Sequence, residues 1–234
     1  MMRTIQKKTT DILQIMRKYP VVSAAFLFSL YILLFTFAEK IDPVSVTLID
    51  TGLDHLIPFS KYAVFFYCTW HLEILTILLS LLYCRDLKTY WELTVKLTSG
   101  LILILFICML FPNMVDLRPA VVEGKDVFAR LTRVVYSLDN ARNVFPSGHA
   151  FGAVLMALSW GKIGTRSWQK AIAWILNAGI ILSTLLLKQH SVIDAAGGIL
   201  LAVLVEKSAD WILNRMGEAR SARKRKVFVG AKLS

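Results

Sequence analysis

Apolar residues along this chain come in long blocks separated by short polar stretches, rather than scattered. A helix needs about 20 mainly apolar residues to cross a hydrocarbon core, and several blocks approach or reach that length. They predict six spans: about Val21 to Ala38, Tyr62 to Tyr83, Leu97 to Phe111, a block that follows Pro146 and reaches Ile163, Ser167 to Leu187, and Ser191 to Ile212. The fourth is short for a span, so it either begins before His149 or lies partly in the interface. The expected fold class is all-α, a polytopic membrane helical bundle of about six transmembrane helices. This pattern divides the chain into a basic N-terminal segment (1–20), a six-span membrane domain (21–213) and a basic tail (214–234).

Composition agrees, since 56% of the 234 residues are hydrophobic, above the ~45–50% of soluble domains. A net charge of +11 invites a nucleic-acid reading, but much of the excess lies in two terminal segments, Arg3 to Lys18 and Arg215 to Lys232. Basic ends beside membrane spans are what the positive-inside bias produces, so no nucleic-acid partner is expected. Arg220, Arg223, Lys224, Arg225 and Lys226 are also suited to anionic headgroups, although a topology signal on a loose tail is the simpler reading.

The loops carry the same signal. Arg3, Lys7, Lys8, Arg17 and Lys18 face one acid, Asp11, before the first span. Arg85 and Lys88, then Lys162 and Arg166, fall on the same side, whereas the first connecting loop holds Glu39, Asp42, Asp50 and Asp54. Both termini are therefore expected to be cytoplasmic. The long loop from Pro112 to Phe145 then faces outward, yet it holds Arg118, Lys125, Arg130, Arg133 and Arg142. Basic residues on the side the rule disfavours suggest another use, and loops this long are more often functional. Cys68, Cys84 and Cys108 lie in apolar blocks with neither a disulfide framework nor a metal spacing. The first apolar block is longer than a signal core and lacks a clear cleavage site, so it reads as a retained span.

Three segments on the outward side carry candidate chemistry: Leu117-Arg118-Pro119, Pro146-Ser147-Gly148-His149, and His190 to Asp194. Pro146 suits the first turn of a helix. The early N–H groups that follow it lack intrahelical partners and form an anion site. Gly148 permits close approach to the backbone and sets His149 beside a bound anion, although a helix start with an incidental histidine fits that segment equally well. His190 and Asp194 are four apart, which on a helix places them on one face. Asp194 would then fix the imidazole tautomer and leave the other nitrogen free to attack. Arg118 supplies a planar, permanently charged fork for phosphate oxygens, though alone it would read as a solvated arginine. Lys188, two residues before His190, adds a cation that suits either phosphate or an interfacial snorkelling role.

Together, Arg118-Pro119, Pro146 to His149, and His190 with Asp194 resemble the type-2 phosphatidic acid phosphatase superfamily in its membrane branch. That family has a lysine followed by Arg-Pro, then Pro-Ser-Gly-His, then Ser-Arg with a later histidine and aspartate. The resemblance implies that His190 attacks phosphorus and forms a phosphohistidine, that Asp194 orients it, and that His149 protonates the leaving alkoxide. It implies that Arg118, Ser147 and the Gly148 backbone hold the phosphoryl oxygens, and that neither a metal nor another cofactor is needed. The expected partners are a phosphorylated lipid substrate and the bilayer. The expected location is a bacterial inner membrane with the site on the periplasmic side.

Two positions depart from the family pattern. The family lysine falls at Phe111 and the arginine of the third motif at Thr184, just after Ser183. Lys188, or Arg142, Arg130 or Lys125 from the loop, would have to replace them. The arginine-poor third motif is similar to the branch containing sphingolipid synthases, which transfer a headgroup. Three readings follow: a lipid phosphatase, a lipid phosphotransferase and a non-catalytic membrane scaffold. His71 and Glu73, near the middle of the second span, are costly there without partners. An interhelical hydrogen bond is preferred for them over a headgroup cavity. Trp70 and Trp91 read as packing or interface residues.

Overall fold

The structure, a computed structural model, describes residues 14–230 apart from 17, 42, 44, 164 and 165, and for 212–214 and 216–230 it describes the backbone alone. The charges expected at Arg3, Lys7, Lys8, Asp11, Arg17 and Asp42, and the side chains from Arg220 to Lys226, lie outside the described residues.

Each predicted span corresponds to a helix. α1 is Pro20–Glu39, with proline in the first turn, where its missing N–H costs nothing. After strand β1 (Thr47–Leu48) and the short helix α2 (Gly52–Leu56), a 3-10 turn at Lys61–Ala63 leads into α3 (Val64–Tyr83). α4 is Leu87–Leu110, starting well before the expected Leu97. The reason is a cap: the Asp86 carboxylate accepts from the Thr89 N–H at 3.1 Å, and Tyr90 and Leu93 are buried. Strand β2 (Asn113–Met114) and α5 (Val127–Leu138) follow. α6 (Gly148–Ile163), α7 (Ser167–Leu186) and α8 (Val192–Gly230) complete the chain.

Among the described residues, four stretches are long and apolar enough to cross a membrane, namely α1, Lys61–Tyr83, α4 and α7. α6 has only 16 residues, and α8 carries Asp194 in its first turn and Glu206 and Lys207 further along. The chain is an all-α membrane bundle. α8 stays helical to Gly230.

α6 lies at the centre, packed against α3, α4, α7 and α8. Phe151, Leu155 and Met156 on it are fully buried. Gly100 on α4 lets the Phe151 ring lie against the backbone, because a Cβ there would overlap the ring. α1 is peripheral: it packs on α4 and buries only Ala24 and Ala38. Val22, Phe26, Leu33 and Phe37 stay exposed along it, as a lipid-facing helix requires.

The two ends of the bundle differ. Away from the motifs, Glu206 on α8 accepts from Lys96 of α4 at 2.8 Å and from Lys162 of α6 at 3.0 Å. Lys162 also lies 3.6 Å from Glu92. At the motif end, β1 pairs in parallel with β2 through Thr47 with Asn113 and Leu48 with Met114. This ties the first loop to the start of the long loop. Ile49, Val115 and Val144 form a small apolar core beneath the pairing. The two-residue strands and α5 lie where the apolar-block pattern predicts only loop.

Candidate active site

The third motif is held by the way α7 stops. Lys188 has φ +56. Its N–H donates to the Leu185 carbonyl, and the Gln189 N–H donates to that of Thr184. This is a Schellman ending with lysine in the left-handed position that usually takes glycine. The turn delivers Gln189, His190 and Ser191 into the interior, all 8% exposed or less. α8 then begins at Val192, with Ser191 as its cap: the Ser191 N–H donates to Asp194 Oδ2 at 2.8 Å, the reciprocal half of a capping box. His190 therefore lies before the helix. This corrects the expectation that it shares a helical face with Asp194. The reversal at the cap still brings His190 Nδ1 within 3.5 Å of Asp194 Oδ2.

The second motif is also set by a cap. The Ala150 N–H donates to Ser147 Oγ at 3.2 Å, which makes Ser147 the N-cap of α6. Pro146, expected in the first helical turn, precedes that cap, joined to Phe145 by a cis peptide bond. The Ser147 N–H donates to the Asp194 carbonyl at 2.9 Å, so the two motifs share a backbone hydrogen bond. Gly198 on α8 permits this approach, because a Cβ there would collide with the Ser147 carbonyl.

These supports bring the histidines together. The rings of His149 and His190 are 5.9 Å apart between centroids. On α3, Tyr67 at 4.4 Å and Trp70 at 4.7 Å pack against the His149 ring, and His71 stands 6.2 Å from it. Arg118 arrives from the long loop. It donates to the Asp139 carbonyl at 2.7 Å and to Oε1 of Gln189, the neighbour of His190. Its guanidinium lies 4.4 Å from the Tyr136 ring centre. Burial pushes the Arg118 pKa down, opposed by Asp139 and Tyr136, and a guanidinium stays charged under such a shift. The Tyr67 hydroxyl donates to Asp139 Oδ2 at 2.5 Å, which closes the ring of contacts around the site.

Two buried side chains from outside the motifs hold these loops. Asp54, 1% exposed, accepts from the Thr51 hydroxyl at 2.6 Å and from its N–H at 2.8 Å. It also accepts from the Ser191 hydroxyl and the Val192 N–H, both at 2.8 Å. Burial opposes the charge on Asp54, but these hydrogen bonds outweigh it and hold the carboxyl below its ordinary range. Asn113, fully buried, accepts from the Val144 and Phe145 N–H groups, both at 2.8 Å, just ahead of Pro146. Neither residue belongs to a motif. Asp54 was visible in the sequence only as one more acid in an acidic loop.

Lys188 is 7% exposed, and its ammonium donates to the Asp54 and Ile57 carbonyls. Ser147 spends its hydroxyl on the cap. Among the described residues, His149 Nε2, His190 Nδ1, Asp194 Oδ1, Arg118 Nε and Gln189 Nε2 are buried without a hydrogen-bond partner. Phe111 is exposed and Thr184 fully buried, so neither brings charge to the site. Glu73 accepts from Trp160 at 3.0 Å and from Asn177 at 2.8 Å, the interhelical hydrogen bonding expected of it. Among the described residues, no group of three or more histidine, cysteine, aspartate or glutamate side chains is arranged to hold a metal ion.

A family model described as the PAP2 superfamily matches residues 45–206, more than half of the chain and a stretch that includes all three motifs. Neither a curated protein nor a solved structure matches the chain.

Proposed function

The chain belongs to the PAP2 superfamily, and on that premise we propose that it is a membrane lipid phosphatase acting through a phosphohistidine on His190. The family supports a phosphatase-type function. The observation that carries the finer reading is the approach of His149 and His190, 5.9 Å apart, with Asp194 beside Nδ1 of the latter. With Nδ1 facing the carboxylate, Nε2 of His190 is the nitrogen left to attack phosphorus. The phosphorus–oxygen bond to the lipid breaks as His149 gives its proton to the departing alkoxide. Water then attacks the phosphohistidine, losing its proton to His149, and inorganic phosphate leaves.

Arg118 contributes positive charge to the phosphoryl oxygens, as phosphoryl transfer demands. Ser147 acts through the α6 cap. Lys188, with its ammonium on two carbonyls, holds the His190 turn rather than the phosphate. The catalytic unit is 21–213, in a bacterial inner membrane with the motif end outward and both termini cytoplasmic. A cysteine at the exposed Ala120, in a background without the native cysteines, should react with an impermeant thiol reagent on intact cells; reaction only in opened cells would invert this topology.

A second reading, transfer of a phosphoryl or phospho-headgroup to an alcohol, is favoured by Phe111 and Thr184 standing where the family has cations. One experiment separates the two. Purified protein is incubated with a panel of lipid monophosphates and diphosphates, with chelator throughout and with or without alcohol acceptors. Release of free phosphate supports the phosphatase. Labelled phospholipid products without free phosphate would establish the transferase, and no turnover of any member would defeat both.

A further inference from the structure

α5 has three faces rather than two. Ala129 and Thr132 are buried against the bundle. Val127, Leu131, Val134 and Leu138, at helical spacing, form an apolar stripe that is 59%, 40%, 51% and 77% exposed. Arg130, Arg133 and Ser137 make the remaining, polar face, also exposed. A helix half-sunk in a protein and otherwise in water needs one apolar face. The second apolar face here calls for a second apolar medium.

The neighbours identify it. Phe128 of α5 meets Tyr62 edge-on, with centroids 5.3 Å apart. Tyr62 and Phe65, 63% and 58% exposed, belong to the first turns of the membrane-crossing stretch Lys61–Tyr83. The apolar stripe therefore adjoins the lipid-facing surface of the bundle. The polar edge has the sign that headgroup phosphates require. Arg130 donates to the Lys125 carbonyl at 2.9 Å and Arg133 to the Val122 carbonyl at 2.8 Å; such bonds orient a guanidinium without cancelling its charge.

We propose that α5 lies in the plane of the bilayer at the motif end, with Val127, Leu131, Val134 and Leu138 among the upper acyl chains and Arg130 and Arg133 level with the headgroup phosphates. The occupant of the stripe is the phospholipid leaflet itself. The placement bears on the site, and this step rests on the phosphate role proposed for Arg118. The Asp139 carbonyl just beyond α5 holds Arg118, and the Tyr136 hydroxyl donates to the Leu187 carbonyl at 2.6 Å. One helix thus rests on the headgroup plane and fixes the depth of both Arg118 and the His190 turn.

The test uses the full chain in nanodiscs of phosphatidylcholine and phosphatidylglycerol, with the native cysteines replaced. Nitroxide labels are placed singly through V134C, L138C and R130C, with L75C on the exposed side of α3 as the deep reference. Power saturation compares collisions with oxygen and with a water-soluble nickel chelate. The expected result is an oxygen preference at positions 134 and 138, weaker than at 75, and a nickel preference at 130. A nickel preference at 134 and 138 would put α5 in water and overturn the proposal. Protection from both reagents would show a protein partner or a second copy over the stripe, and would overturn it equally. The readout needs no turnover, so its failure is distinct from failure of the catalytic reading.

Discussion

Two polar clusters lie at the two ends of α6, one partly exposed and one buried, and they are completed differently. At the end away from the motifs, Lys96, Lys162, Glu92 and Glu206 face one another with opposite charges 2.8 to 3.6 Å apart. At the motif end, five buried polar atoms on His149, His190, Asp194, Arg118 and Gln189 have no hydrogen-bond partner among the described residues. A buried donor or acceptor left unmade costs about 1–3 kcal/mol, so folding alone selects against such a group of atoms. The closed cluster is explained by holding α4, α6 and α8 together. Under the proposed function, the nitrogens of His149, Arg118 and Gln189 left open there are the ones that phosphoryl oxygens would satisfy, while His190 Nδ1 and the Asp194 carboxylate face each other.

The contrast predicts that substitutions at the open end remove turnover and spare stability, and that those at the closed end do the reverse. The largest effect is expected at His190. His190→Ala should lower turnover by roughly 10⁴-fold or more, the scale seen when a nucleophile acting within a unit is removed. A variant retaining wild-type rates would dissolve the distinction between the two clusters. His149→Gln should cost about 10²–10⁴-fold on lipid substrates, the range for a positioned general acid. The loss should shrink when the leaving group is a nitrophenolate that needs no proton. An equal loss on both substrates would remove the acid role.

Asp54 sharpens the comparison, because it is fully bonded yet serves the open end. Asp54→Asn should reduce kcat by about 10-fold or more while KM moves little, as expected when an interaction supports the transition state alone. Its carboxyl is held below the ordinary range in the folded state, so its stabilising contribution is complete above about pH 4, the ordinary value, and fades as pH falls through the lowered one. The difference in melting temperature between wild type and this variant should close on acidification; a difference independent of pH would deny that the charged form is the one that holds the turn. The smallest effect on turnover is expected at the closed end. Glu206→Gln should leave the rate per folded molecule within about twofold while lowering thermal stability, since breaking a buried ion pair costs about 3–5 kcal/mol, discounted here because Glu206 is partly exposed. A large loss of rate at full stability would show that the two ends are coupled.

Much of the bundle was legible because membrane spans are written as long apolar runs. Five helices end within a few residues of where Ala38, Tyr83, Phe111, Ile163 and Leu187 place them, while α8 runs past the expected Ile212 to Gly230. The early start of α4 was hidden because Lys88, Glu92 and Lys96 interrupt the run, although Tyr90 and Leu93 on the buried side continue it. The histidines were legible from chemistry, but their geometry was not. The cap at Ser191 ends α8 one residue short of His190, and no spacing rule shows where a helix will cap. Asp54 and Asn113 are not legible because the groups they hold at the site, Ser191 and Val192 for one and Val144 and Phe145 for the other, are far away in the chain, which a local pattern cannot record. α5 reads as loop in the sequence because its apolar residues are split between two faces, which dilutes the run that marks the other helices.

The hydrogen bond from the Ser147 N–H to the Asp194 carbonyl has a consequence for the site. It joins the backbone beside His149 to the backbone beside His190, and the Gly198 contact leaves no slack around it. The two histidines are therefore tied through one backbone seam. α1, at the edge of the bundle on α4, stands outside that seam.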